Sequence, residues 1–164
     1  MRVIKLGLIS LLVLMMIATA IGFLFPSTVV VSRAVDIKSF KSPVFELVAD
    51  LNKWNLWVDG MNNATVKVYN KKSAKLGNTM VSVIAITDST VVTSWVNEQS
   101  PKQESTIRLI TDSAQKVTVV QWQFIQQVRW YPWEKFSSMM NDKIIGTMIE
   151  KNLQNLKLLA EQPQ

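Results

Sequence analysis

The apolar positions of the chain fall into three regimes. Residues 6–25 (LGLISLLVLMMIATAIGFLF) are 20 successive residues without a charge. As a helix such a run is about 30 Å long, the thickness of a bilayer's hydrocarbon core. Residues 28–36 (TVVVSRAVD) are β-branched and partly alternating, which predicts a strand. Ser42-Pro43 then supplies an N-cap followed by Pro at the first helical position, and Val44, Phe45, Leu47, Val48 and Leu51 follow at helical spacing. In residues 50–59 (DLNKWNLWVD) two Trp lie three apart, so a second short helix sets both on one face. From 64 to 127 the pattern turns to strands, with candidates at 64–70, 79–87, 90–99, 103–111 and 116–127. The breaks at 75–78, 88–89, 100–101 and 111–114 are polar or turn-like, and connections this short imply antiparallel hairpins. After Pro132 a helical pattern runs to about residue 160: Phe136, Met140, Ile144 and Met148 fall four apart, and Ile145, Ile149, Leu153, Leu156 and Ala160 continue a drifting stripe. Gly146 in mid-helix costs up to about 1 kcal/mol against Ala and marks a close approach or a bend.

Two readings of the first run compete. A secretory signal has a shorter apolar stretch and a small-x-small cleavage site, for which Ala18-Thr19-Ala20 would serve. Cleavage after Ala20 would leave Ile21-Gly22-Phe23-Leu24-Phe25 as an apolar stub on a soluble, secreted or periplasmic protein. A retained anchor avoids that stub and is the stronger reading. It divides the chain into an anchor at 1–26 and one domain at 27–164. Arg2 and Lys5 adjoin the span, whereas Arg33, Lys38 and Lys41 begin eight residues beyond it. The N-terminus is therefore expected in the cytoplasm and the domain across the membrane. Ala18 and Gly22, four apart, can support helix pairing; lipid tolerates them equally well.

Composition narrows the chemistry. The chain has no Cys and no His, which excludes thiol nucleophiles, Cys/His metal sites and imidazole triads. Five Gly provide no glycine-rich phosphate loop. Carboxylates are scattered, with no pair whose spacing demands acid/base work; Asp50 and Asp59 bracket the Trp pair and read as turn caps. No catalytic residue, metal or cofactor is expected. Without Arg2 and Lys5, 16 Lys+Arg face 12 Asp+Glu, a net of +4. The densest basic run is Lys67, Lys71, Lys72 and Lys75, a membrane-binding patch or a solvated hairpin. No nucleic-acid motif is present, so no nucleic acid is expected as a partner.

The order strand, two short helices, antiparallel strands and a long last helix resembles the START-like (SRPBCC) superfamily, and within it the bacterial polyketide cyclase/dehydrase-like group. The resemblance covers residues 28–161. Its best local match is residues 31–61, where Arg33 and Ile37 are similar to an "Arg-x-x-x-Ile" strand, and Pro43, Asp50, Leu51, Trp54 and Trp57 to a Pro-led helix ending in "Asp-Leu-x-x-Trp-x-x-Trp". Phe23-Leu24-Phe25-Pro26 looks like the "Phe-x-Pro" that follows the span of anchored members, and residues 149–157 look like the group's helix ending. Val58-Asp59-Gly60 departs from the usual Pro-containing segment, and residues 136–139 from a more Gly-rich helix entry. The resemblance implies an α+β helix-grip fold: a curved antiparallel sheet of six to seven strands wrapped around the C-terminal helix, here with one N-terminal transmembrane helix. It also implies a cavity between sheet and helix for an apolar small molecule such as a lipid, quinone or polyketide.

Candidate cavity residues are Trp57, Met80, Trp95, Trp122, Phe124, Met140, Ile144 and Met148, since Met and aromatic side chains make adaptable apolar walls. Any one of these at helix or strand spacing is equally a core residue. Trp54 is the core anchor of the pair, and Trp57 the Trp nearest the cavity mouth. Tyr69, Arg108 and Lys143 are candidate orienting groups, with a solvated strand face as the alternative for Arg108. Trp130, Tyr131 and Trp133 form an aromatic cluster at the cavity mouth, at a bilayer interface, or in a hinge packed on the sheet. Three functions follow: binding of an apolar small molecule beside the bilayer, a cyclase/dehydratase-type enzyme using the same cavity, or a ligand-free interaction module. Protein partners are not readable from the sequence.

Overall fold

The strand pattern closes into one seven-stranded antiparallel sheet, ordered β1-β7-β6-β5-β4-β3-β2. In the computed structural model the described residues are 2–24, 27–98, 100–112, 116–129 and 131–162. The elements are α1 (Arg2–Leu24), β1 (Thr28–Ile37), α2 (Lys41–Ala49), a 3-10 helix (Leu51–Leu56), β2 (Val66–Asn70), β3 (Ser73–Leu76), β4 (Thr79–Ile86), β5 (Thr90–Asn97), β6 (Ser100–Asp112), β7 (Val117–Gln127) and α3 (Pro132–Ala160). The fold is α+β, one antiparallel sheet with a long last helix, as expected.

Two local expectations are corrected. The segment Ser73–Leu76 is a short strand where the sequence reads as a break; its four residues are too few and too polar to alternate visibly, yet Ala74 pairs with Val81 and is fully buried. Helix α2 begins at Lys41 after Phe40, with no side-chain cap, so Ser42 lies in the first turn rather than at the N-cap.

Cross-strand partners share a face of a sheet, so the register defines the concave side. One row runs Arg33, Trp122, Ile107, Val91; the next runs Val31, Phe124, Ser105, Thr93. Most of these side chains are buried, and α3 packs along β1 with Ile149, Leu153 and Leu156 turned inward. Register shifts after Val83 on β4 and after Trp95 on β5 supply the local irregularities that bend such a sheet.

Arg33 closes the sheet onto α3. Its Nε lies 2.6 Å from Glu150 Oε1, and its Nη1 donates to the Ser32 carbonyl at 2.9 Å. The guanidinium lies directly over Gly146, where an added Cβ would stand 3.0 Å from Arg33 Cζ. The mid-helix glycine is a close approach: it admits the arginine.

Helix α1 is exposed along most of its length. Only in its last two turns is exposure lost, at Ala18, Thr19 and Gly22; the helix contacts α3. Val3–Leu24 is long and apolar enough to cross a membrane.

Candidate functional site

The Asp-Leu-x-x-Trp-x-x-Trp stretch builds the centre of the molecule. The last carbonyls of a helix have no partner within it. Here two indoles supply the donors: Trp54 Nε1 donates to the Val48 carbonyl at 2.9 Å, and Trp57 Nε1 to the Leu47 carbonyl at 3.1 Å. Three residues per turn in the 3-10 helix put both rings on its inner side. Asp50 caps that helix by accepting from the Asn52 N–H at 2.9 Å.

Around this pair the aromatic rings form a continuous array. Trp54 lies 5.5 Å from Trp57 and 6.0 Å from Trp122; Trp122 lies 5.7 Å from Phe124; Phe124 lies 5.3 Å from Trp95. Edge-on and tilted geometries of this kind add to area burial. The indole donors are satisfied throughout. Trp122 Nε1 donates to Ser105 Oγ at 2.6 Å, and Trp95 Nε1 to Thr93 Oγ1 at 2.9 Å, while the Thr93 hydroxyl is placed to donate to the Ser105 carbonyl. The two buried hydroxyl residues serve the aromatic array, a role the sequence did not mark.

The candidate residues separate into three groups. Trp122, Phe124, Trp95 and Trp57 are brought together, with Met148 half-buried against the same core. Trp57 is 2% exposed, with its N–H committed to α2 and its ring held between Trp54 and Trp122, and it also borders a surface depression. Met80 stands outside the site: its neighbours across the sheet are Lys75 and Val96, so it lies on the convex face, 38% exposed. Tyr69 is exposed at the register shift on β2, and Arg108 is exposed on a convex-face position opposite Thr90 and Gln121. Met140, Ile144 and Lys143 are exposed on α3, which turns its Ile145/Ile149/Leu153 stripe to the sheet. Trp130 lies outside the described residues. Tyr131 and Trp133 stack at 4.8 Å with ring planes 11° apart.

The concave face is not uniformly sealed. Val81, Val91 and Ile107 are fully buried, but Val29, Val66, Val68, Leu76, Val83 and Trp95 remain half-buried where the sheet extends past the aromatic array. Toward β2 the row Trp95, Val81, Ala74, Val68 is apolar throughout, whereas toward Val29 on β1 it is interrupted by Gln103 and Gln126. Three depressions lined by described residues lie outside this row, one of them of about 390 Å³ over Lys102, Glu104, Ile125 and Gln127. Another of about 480 Å³ lies over Asn55, Trp57, Asp59 and Asn155; the third, of about 330 Å³, lies between Lys38, Lys116 and Glu161. The aromatic centre is packed, and among the described residues the half-buried apolar side chains lie beyond it on β2–β5.

One polar cluster pins the segment after the 3-10 helix to α3. Lys151 Nζ lies 2.7 Å from Asp59 Oδ2, Asn152 Oδ1 accepts the Asp59 N–H at 2.8 Å, and Asn155 Nδ2 donates to the Trp57 carbonyl at 3.2 Å. The sequence showed Asn152 and Asn155 only as part of a helix ending. The Lys151 hydrogen bond and charge hold the Asp59 carboxyl below its usual range. Its folded-state pKa is thus below the unfolded one, and the pair's contribution is complete above about pH 4 and lost as pH falls through the folded value. We expect Lys151→Met to flatten the acid side of the stability profile, read by urea unfolding at a series of pH values between neutral and strongly acid. An unchanged slope would remove the pair from the account.

No family model and no curated protein matches the chain. Solved structures do. The chain is similar to a START superfamily protein from Mycobacterium smegmatis, at 16% identity and TM-score 0.62, covering 81% of this chain and 97% of that one. It is similar to CalU16 from Micromonospora echinospora, at 16% identity and TM-score 0.58, covering 84% and 85%. It also matches the di-domain ARO/CYC StfQ from the steffimycin biosynthetic pathway, at 8% identity and TM-score 0.61, covering 83% of this chain and 51% of that one. At these identities the likeness establishes a START-like fold and nothing finer.

Proposed function

We propose that this is a membrane-anchored START-like domain of the polyketide cyclase/dehydrase-like kind that binds one apolar small molecule, such as a lipid, quinone or polyketide, on the concave face of its sheet. The observation that carries the reading is the half-buried apolar strip running on from Trp95 and Phe124. Removing apolar area from water at about 25 cal/mol per Å² gives such a strip affinity for an extended hydrocarbon. Orientation falls to the polar side chains in its row: Gln103 stands beside Trp95 and Gln126 beside Gln103 across the strands. The apolar span Val3–Leu24 holds the domain at the bilayer, with the N-terminus on the cytoplasmic side and the domain across it. A nucleic-acid partner and a cofactor have no place in this reading. A cyclase or dehydratase would need acid/base groups converging on the strip; Tyr69, Arg108 and Lys143 point elsewhere, so binding is the better-supported function.

Trp95 is the test residue, because it is half-buried and its indole contacts only Thr93 by hydrogen bond. Trp95→Ala is expected to weaken binding of a fluorescent long-chain fatty acid by the full chain about tenfold or more, the equivalent of losing most of one aromatic contact. The far-UV spectrum should be retained. Unchanged affinity would remove the strip as the binding site.

A further inference from the structure

Helix α3 carries an outward-facing stripe that the packing leaves bare. Positions 133, 140, 144, 147, 151, 154 and 158 recur at helical spacing on the side opposite the buried Ile149 and Leu156. Along that single stripe the chemistry changes. Its N-terminal part is Trp133, Met140 and Ile144, each at least 60% exposed; then come Thr147, Lys151 and Gln154, and a single Leu158 ends it. The three large apolar side chains cluster at the start of the helix, where an exposed apolar patch marks a contact surface.

The apolar end is the end joined to α1. Ser27 is fixed to the domain on both sides of its backbone and side chain: Val128 N–H donates to its carbonyl at 2.8 Å, and Lys135 Nζ to its hydroxyl at 3.0 Å. Lys135 is itself in the first turn of α3 and buried. Helix α1 ends at Leu24, so only two residues separate it from this fixed point, three Cα steps that span at most roughly 11 Å. Moreover, α1 contacts α3, and the residues of α1 that lose exposure are Ala18, Thr19 and Gly22, which lie inside the apolar span. The start of α3 therefore runs beside the end of a bilayer-length helix and cannot be far from the membrane surface that α1 enters.

We infer that the first turns of α3 lie in the interface of the bilayer that holds α1, with Trp133, Met140 and Ile144 as the embedded side chains. This rests on the anchor reading above. The stacked Tyr131–Trp133 pair at 4.8 Å sits at the helix entry, at the depth where amphipathic rings favour the headgroup region. Lys143, exposed beside Ile144, has a stem long enough to reach headgroup phosphates. The register sets a second consequence. The row Val29, Gln126, Gln103, Trp95 starts on β1 two residues from Ser27, so this end of the concave face is the one nearest the end of α1. Its ligand class is then the bilayer's own lipid, entering without crossing water.

The chain has no Cys, so single reporters can be placed without removing native ones. The full chain is reconstituted in phosphatidylcholine vesicles with an environment-sensitive fluorophore at Trp133→Cys, Met140→Cys, Ile144→Cys, Gln154→Cys or Leu12→Cys, and quenched by lipids spin-labelled near the headgroup or deep in the acyl chain. Reporters at 133, 140 and 144 should be quenched several-fold more by the shallow label than the reporter at 154. The reporter at 12 should be quenched best by the deep label. Strong quenching at 12 with none at 140 and 144 would overturn the interfacial placement of α3 while leaving the anchor intact. Absence of quenching at 12 would overturn the anchor, and the placement with it. Quenching at 154 equal to that at 144 would also contradict the placement, since the polar part of the stripe is assigned to water.

Discussion

Trp54→Ala is expected to destabilise the domain by about 3–5 kcal/mol, the range for emptying a large aromatic site in a packed core. Trp54 is fully buried and its ring touches Trp57, Trp95 and Trp122, at centroid distances of 5.5, 6.3 and 6.0 Å. The loss therefore reaches both the short helices and the sheet. A second cost is separable. Trp54 Nε1 supplies the donor for the Val48 carbonyl at the end of α2, so Trp54→Phe should keep much of the packing yet cost about 1–3 kcal/mol for the orphaned carbonyl and the smaller ring. Against a total stability on the order of 5–15 kcal/mol, the alanine variant is expected to lie close to unfolding at room temperature. Urea unfolding of the full chain in detergent, followed by near-UV circular dichroism, measures both. A phenylalanine variant as damaged as the alanine variant would show that the capping hydrogen bond, rather than the ring, carries the site.

Gly146→Ala is expected to run against helix propensity. Taken as an isolated helix position, the change should stabilise by up to about 1 kcal/mol. In the folded protein the new Cβ meets the Arg33 guanidinium, whose Cζ would stand 3.0 Å away. Arg33 is not free to yield, because Glu150 and the Ser32 carbonyl hold it from two directions. We expect net destabilisation of about 1–3 kcal/mol, as for other overpacking changes. Removing the obstacle should return the propensity gain: the double variant Arg33→Met with Gly146→Ala should be less damaged than the two single effects added together. Additive effects would mean that the arginine and the glycine do not share the site.

These two residues also show what the sequence could and could not disclose. The two-residue period of the strands and the helical spacing after Pro132 were enough for element order, because both periodicities are local. Gly146 was legible as an anomaly, a helix breaker inside a strong apolar pattern, but its partner 113 positions earlier is set by tertiary contact. The Trp pair was legible as a packing motif. Its reason, two indoles capping the end of α2, depends on a chain reversal that spacing alone does not fix. Ser105 and Thr93 read as ordinary strand residues; only the sheet register places them under Trp122 and Trp95. The binding strip was the least legible. Alternation marks which side chains share a face, but not which face is concave. Met80 and Arg108 were thus credible candidates until the register put them on the convex side. Met140 and Ile144 fell four apart with Phe136 and Met148, and that periodicity did not reveal that the inward stripe shifts to Ile145, Ile149 and Leu153.

The central claim is that the concave face holds an apolar molecule. Its most direct test is native mass spectrometry of the full chain released gently from its own membranes, with organic extraction of what it carries. The account predicts one lipid-like molecule per chain, retained after detergent exchange and lost from the Trp95→Ala variant. A chain that emerges empty, and whose unfolding midpoint does not move when lipids or quinones are added, would contradict it.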